Sequence, residues 1–441
     1  MRPARFFTAI ILGLLLACSG AVAGPLSEYV ARPDDTYGFE VVGEEQIGAN
    51  TALTIRMTSQ TWQGIEWQHW VSIVRPAEVA YPDNMVLVIG GGGKDSGPPS
   101  FDGGEAKIVN MVATQTKSAI GLVSQVPNQP LFDGRTEDEI IAYTYDKFLN
   151  GEGDDWPLLL PMAKSAVKAM DTIQTVMADK FEQPVKGFLL TGGSKRGWTS
   201  WLAAASGDKR VKAIAPAVID MLNLRPQMRH QLACYNEYSN QVEDYTRLRI
   251  QERMGTPAGK RLLEIVDPYS YRDSLTLPKL MILGTNDPYW TVDAANFYFP
   301  GLKEPKHLCY QPNTGHDATL QGVSTLAHFF LALQTGEPYP SISWKGEGGH
   351  LEVSWEKADG TAYLWQAESP GRDFRDSLWV SSVAGKEGNA VVDVKAPEEG
   401  WVAFYVEVRW PGELTGFAMN NCTQITVLPG TLPYTPRTET E

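Results

Sequence analysis

A serine hydroxyl becomes a nucleophile when a base takes its proton and a carboxylate orients that base. Ser194, Asp287 and His316 have the residue types and the chain order for this chemistry. Ser194 follows the apolar run Phe188-Leu189-Leu190 and precedes Gly197 to Ala205, which reads as a helix rich in Ala, Leu and Trp. Strand, glycine-pinched serine and helix make a nucleophile elbow, a strained turn that lifts a hydroxyl clear of a sheet. Gly192 lies two positions before the serine, where a side chain would crowd the turn. The usual glycine two positions after it is missing: Arg196 stands there, and Gly197 comes one later. Glycine-serine turns also end many parallel strands without chemistry, so the elbow needs partners.

Asp287 leaves the strand-like run Leu280-Met281-Ile282-Leu283, and His316 sits in a glycine-hinged loop after Leu308-Cys309-Tyr310. Serine, acid and histidine at the carboxyl ends of successive strands, in that order, is the arrangement of α/β-hydrolase triads. Asp220, at the exit of the preceding strand, competes with Asp287 for the role of acid, while Asp293 and Asp317 are less well placed. The chain has six histidines, and elimination favours His316. His69 falls on a predicted edge strand, His230 in a helical insertion and His307 at a strand start. His328 lies within an apolar helix and His350 in the β-rich C-terminal part.

A developing oxyanion needs backbone donors. The amide of Lys195 is one candidate, and Gly92 or Gly93 in the run Gly90 to Gly93 is the other. Arg196, with Lys195, brings positive charge to the elbow, suited to an anionic substrate group or to a salt bridge holding the insertion. Trp62, Trp67 and Trp70 could stack sugars, although core packing is the commoner fate of such a cluster. No phosphate loop, dinucleotide fingerprint or zinc-binding helix motif occurs, and neither a cofactor nor a metal is implied.

The elements that must position these residues follow from periodicity. Tyr37 to Pro76 alternates apolar and polar residues, as antiparallel strands do. Continuous apolar runs at 85–89, 118–123, 188–190, 211–219, 279–283 and 306–310 suit strands buried on both faces of a mostly parallel sheet. Helical patterns intervene, notably Pro161 to Phe181, so a doubly wound α/β domain is expected over 24–338. Residues 222–277 are too many for a plain connection and read as a helical lid above the serine. From 339 to 430, short β-branched and aromatic segments alternate with turn residues, as in an immunoglobulin-like β-sandwich, and 431–441 is a polar tail.

With 38 basic and 52 acidic residues among 441, the net charge is -14, which excludes nucleic acid as the main partner. Arg2 and Arg5, the apolar run Phe6 to Leu16 and Ala21-Val22-Ala23 form a signal peptide over 1–23, so a periplasmic or secreted protein is expected. Leu15-Leu16-Ala17-Cys18 offers the alternative of a lipid anchor at Cys18. No later stretch is long and apolar enough for a membrane span. Cys234, Cys309 and Cys422 follow the cleavage point, and Cys234 with Cys309 is the expected pair if any disulfide forms.

The phrases SQTWQGIEWQHW, VPNQPLF, EDEIIAYTYDKFL, WPLLLPMAKSAVKAMD, TGGSKRGWTSWLAA and GTNDPYW resemble the PhoPQ-activated pathogenicity-related proteins. These are exported bacterial proteins with relatives among secreted proliferation repressors of amoebae. The resemblance runs from about Tyr37 into the C-terminal part. It implies an α/β-hydrolase domain with an appended immunoglobulin-like domain, and Ser194, Asp287 and His316 as the triad. A serine hydrolase acting on an ester or amide is the function expected, with a small-molecule, peptide or saccharide substrate. A prolyl-oligopeptidase-like peptidase and a glucuronoyl-type carbohydrate esterase are the competing forms, and a non-catalytic binding or signalling protein is the rival class.

Overall fold

The computed structural model describes residues 24–412, 414, 416 and 418–435. The expected signal peptide, the lipidation site at Cys18 and residues 436–441 of the expected tail lie outside the described residues. Two β-sheets organise the chain. The first has nine strands in the order β1-β2-β3-β5-β4-β6-β7-β8-β9. Strands β1 (Gly38–Ile47), β2 (Asn50–Trp62) and β3 (Ile65–Arg75) form an antiparallel meander that joins β5 (Ile120–Val123). The rest is parallel: β4 (Asn84–Ile89), β6 (Gly187–Gly193), β7 (Val211–Ala217), β8 (Lys279–Gly284) and β9 (Lys306–Gln311).

Helices cover both faces, which is why the parallel strands are apolar on successive residues. Met85, Leu87 and Ile89 of β4 face one core, with Ile173 and Trp201 from the helices; Val86 faces the other. Helices α1 (Pro25–Ala31), α3 (Glu137–Leu149), α4 (Leu159–Phe181) and α5 (Lys195–Ala205) pack on the first side. On the other lie α2 (Gly104–Thr116) and α10 (Leu320–Thr335). Between β7 and β8 the chain runs through α6 (Leu224–Tyr235), α7 (Glu243–Arg247), α8 (Ile250–Arg253) and α9 (Pro257–Val266).

The second sheet is antiparallel, with eight strands: β10 (Ile342–Glu347), β11 (His350–Trp355), β12 (Thr361–Ser369), β13 (Val380–Lys386), β14 (Asn389–Asp393), β15 (Trp401–Trp410), β16 (Met419–Cys422) and β17 (Thr426–Leu428). Its order is β10-β11-β14-β13-β12-β15-β16, with β17 also on β15. Because β13 bonds to both β12 and β14, the strands expected as two sheets are joined into one nearly closed sheet. Strand β15 is buried on both sides. Phe404, Val406 and Val408 enter the unit's own core, while Tyr405 packs on Tyr310 of β9 with ring centroids 5.2 Å apart. Strand β16 covers the edge strand β9: Leu308 N donates to Asn421 Oδ1 and Tyr310 N to Cys422 Sγ. An edge that would otherwise invite pairing with another chain is thereby closed.

Two expectations change. Cys234, Cys309 and Cys422 are free and buried, so the Cys234–Cys309 bridge does not form. Cys234 lies on α6 against His230, whereas Cys309 lies in the core of β9, so each thiol has its own enclosure. His69 is not on an edge strand, because β3 has β2 on one side and β5 on the other. Burial pushes its imidazole down to about 4, and it is bonded to Ser59, Ser165 and the Ser124 carbonyl.

Removing the ring that bridges the two sheets measures how far they depend on each other. Tyr405→Ala is expected to cost about 3–5 kcal/mol, the range for deleting a large buried aromatic. The readout is a lowered denaturation midpoint at unchanged m-value.

Candidate active site

Ser194 is held at φ 57°, ψ -128° between β6 and α5, a sparsely populated region for a residue with a side chain, worth on the order of 1–3 kcal/mol of strain. The surrounding structure compels it. Ser194 N donates to Ala217 O at 2.9 Å, and Trp198 N donates to Ser194 O at 3.0 Å as α5 begins. A Cβ on Gly192 would lie 2.7 Å from Ile89 O, and one on Gly197 would lie 2.8 Å from Gly192 O. Both glycines are therefore required for helix and strand to approach this closely. A glycine three after the serine does here what a glycine two after it does in the common motif.

The other two candidates meet. His316 Nδ1 and Asp287 Oδ2 are 2.8 Å apart, with Asp287 only 7% exposed, and Tyr289 N donates to Asp287 Oδ1 at 3.0 Å. Ring centroids of Tyr289 and His316 are 4.3 Å apart, so the tyrosine lies over the imidazole. His316 Nε2 is buried with no hydrogen-bond partner. The loop carrying His316 is pinned by Gln311, whose Nε2 donates to Asp317 O and whose Oε1 accepts from Thr319 N at the start of α10. Ser194 and His316 line one pocket of about 50 Å³, room for a few waters. Its walls are mainly apolar: Trp198 and Ile219 from the sheet side, Met228, Val242 and Met254 from the insertion, and Trp290. The insertion thus roofs the serine.

Asp220 has a different place. It is buried beside the Tyr298 hydroxyl, with Oδ1 unpartnered. Burial raises its carboxyl to about 8, and the negative charges of Asp287 and Asp293 add to that. Asp287, not Asp220, bonds to the imidazole.

The positive charge at the elbow is already spent. Arg196 donates through Nε to Val126 O and through both terminal nitrogens to Glu137, 2.9 and 2.7 Å away. Its guanidinium lies over Gly91, where any Cβ would be 2.6 Å from Nη2. Arg196, expected to meet substrate, is not among the pocket's lining residues and forms a bidentate clamp between the elbow and α3. Lys195 does line it, but its buried Nζ is paired with Glu137 at 2.7 Å and Asp138 at 3.3 Å. Tyr245 completes this wall by donating to Asp138 Oδ1 at 3.0 Å. Gly92 and Gly93 follow β4 next to the elbow, with Gly92 at φ +117°, and are not among the pocket's lining residues.

Residues 26–375 match the family described as PhoPQ-activated pathogenicity-related protein. The chain belongs to this family. It is also similar to autocrine proliferation repressor protein A of Dictyostelium discoideum, 30% identical over 479 residues that cover 96% of this chain and 94% of that protein. Among solved structures it resembles an acetyl xylan esterase from Paenibacillus sp. R4, with a TM-score of 0.50 and 13% identity over 70% of this chain and 90% of that one. Acetyl xylan esterase 1 from Thermoanaerobacterium is similar at a TM-score of 0.48 and 14% identity, over 70% and 91% of the two chains. The likeness to the Paenibacillus enzyme gives the α/β-hydrolase fold.

The structure adds Tyr289, Glu137, Asp138 and the pocket's tryptophans to the candidate residues. Tyr289 and Trp290 stand in GTNDPYW, and Glu137 and Asp138 in the EDE segment, so their only signal in the chain is membership of the family-like phrases. Trp62 and Trp67 are core residues in edge-to-face contact, with centroids 5.6 Å apart. Among the described residues no cluster of His, Cys, Asp and Glu could hold a metal ion.

Two pH predictions follow from the carboxylates. Burial raises the Glu137 carboxyl, but the Arg196 bonds and the charges of Arg196 and Lys195 outweigh this and hold it at about 2. Its stabilisation is complete above the ordinary value of 4.5 and disappears as pH falls through about 2. Glu137→Gln is therefore expected to be less stable than wild type at neutral pH, with the gap closing in acid. Asp220 has the opposite sign: stability is lost as pH rises from its ordinary value of 3.8 through about 8. Thermal unfolding across this range should find Asp220→Asn increasingly more stable than wild type, with activity at pH 7 changed only a few-fold.

Proposed function

We propose that this protein is an exported serine hydrolase in which Ser194 attacks an acyl carbon. His316 takes the serine proton at Nε2 and returns it to the leaving group, while Asp287 holds the Nδ1–H and the imidazolium that forms. The observation that carries the reading is that His316, bonded to Asp287 at 2.8 Å, lines the same pocket as the strained Ser194. The unpartnered Nε2 of His316 is the position a serine proton or a leaving group would occupy. The amide of Lys195, with that of Gly92 or Gly93, is the oxyanion hole in this reading. It is supported by the helix N-terminus at Lys195 and by the proximity of Gly91 to Arg196.

The pocket favours an uncharged, compact apolar group on the substrate. Its walls are mainly apolar, and both nearby cations are committed to Glu137 and Asp138. This supports an ester with a short acyl chain over a glucuronate ester, whose sugar hydroxyls would find few polar partners in so small and apolar a cavity. The aromatic walls, Tyr145, Trp198, Tyr245 and Trp290, favour a second reading in which an amide places a proline-sized ring there. The signal-peptide pattern of residues 1–23 supports a periplasmic or secreted location in this reading, with a Cys18 lipid anchor as the alternative. The C-terminal unit is read as an immunoglobulin-like module, supported by its all-antiparallel strand order.

A fluorophosphonate probe is expected to label the purified mature protein and to fail on Ser194→Ala and His316→Ala. Both variants should lower kcat/KM by at least ~10³-fold. With p-nitrophenyl esters, acetate and butyrate should outpace octanoate, and methyl glucuronate should be a poor substrate. Preference for an aminoacyl-proline amide would favour the peptidase form. A folded wild type that neither labels nor turns over any of these would leave a binding protein on a hydrolase fold.

A further inference from the structure

The loops that carry Asp287 and His316 are held from outside the α/β domain. After β8, Asn286 Nδ2 faces three backbone carbonyls of the β12–β13 connection: Ser377 O at 2.7 Å, Arg375 O at 3.0 Å and Phe374 O at 3.4 Å. After β9, Asn313 makes a two-way bond with the same connection, donating to Trp379 O at 3.0 Å and accepting from Trp379 N at 2.8 Å. These asparagines are the residue before the acid and the third residue before the histidine. The two loops also bind each other, through Asn286 N to Thr314 O and Asn313 N to Thr285 Oγ1. They are so close that a Cβ on Gly284 would lie 2.2 Å from Gly315 O.

The gripping segment is itself rigid. Phe374 and Trp379 are buried in the core that spans both sheets, and Trp379 packs on Tyr405 with centroids 5.4 Å apart. A buried ion pair, Arg372 with Asp293 at 2.7 Å, anchors the segment's beginning to the chain just beyond GTNDPYW. Ordinary interdomain packing would need apolar contact but not five hydrogen bonds converging on two catalytic loops.

We propose that residues 372–379 of the C-terminal unit are a positioning element for the Asp287–His316 pair, with Asn286 and Asn313 as the positioning residues that transmit it. The β unit is then part of the active-site framework. The inference rests on the hydrolase reading for its kinetic consequence, but the geometry it concerns can be observed without turnover.

The test compares Asn286→Ala, Asn286→Asp and Asn313→Ala with wild type as full-length mature protein. Two readouts are used: ester hydrolysis against pH, and the downfield proton resonance of His316 Nδ1–H bonded to Asp287. Displaced loops should lower kcat by ~10- to 100-fold with KM nearly unchanged, shift the pH profile, and move or broaden the resonance. Asn286→Asp should be worse than Asn286→Ala, because a carboxylate would face three carbonyls. Asn313→Ser carries the same readouts if Asn313→Ala does not fold. Folded variants that keep the wild-type kcat, pH profile and resonance would overturn the proposal while leaving the hydrolase reading intact. An inactive, unlabelled wild type whose resonance is lost in the variants would overturn the hydrolase reading and leave the positioning role standing.

Discussion

Everything at the candidate active site depends on one close approach of backbone to backbone, where α5 meets the end of β6. Gly197 rests against the carbonyl of Gly192, at a distance that admits no Cβ. That contact drives the chain through a left-handed turn at Ser194 and brings the serine to the wall of the pocket. It also decides what the intervening residues can do. Lys195 begins the helix with its side chain buried in the wall, and Arg196 points across Gly91 to Val126 and Glu137. Basic residues beside a nucleophile invite an electrostatic role toward substrate. Here they are consumed in holding the elbow against α3.

Charge compensation then shapes the pocket. Glu137 and Asp138 together neutralise Lys195 and Arg196, so the cavity next to Ser194 is apolar without being free of ionised groups. Two nearby acids have different partners. Asp287 has a backbone N–H and an imidazole as donors, whereas Asp220 has an unpartnered oxygen and is pushed toward its neutral form by burial. Two carboxylates at the ends of adjacent strands are distinguished by their hydrogen bonds, not by their distance along the chain.

The insertion and the C-terminal unit both contribute to the site. Met228, Val242 and Met254 of the insertion line the pocket. The β12–β13 connection bonds to the loops that carry Asp287 and His316, and its Arg372 reaches Asp293, which also bonds His230 of α6. Polar contacts therefore link the insertion, these loops and the β unit.

Much of this was legible in the chain itself. Apolar runs at 85–89, 188–190, 279–283 and 306–310 became strands buried on both faces, because only such runs satisfy two helical layers. The order Ser194, Asp287, His316 placed three candidates at strand exits, and the structure joins the last two by a hydrogen bond. Alternation and turn residues announced a β-rich C-terminal part, but not that β13 would stitch it into one sheet, since pairing partners are non-local. The free cysteines, the commitment of Arg196 to Glu137 and the burial that raises the Asp220 carboxyl were equally out of reach. Periodicity and spacing determine which residues sit at the ends of which elements, because they reflect local geometry. Which charge finds which partner, and which loop is held by which domain, was decided only when distant segments packed together.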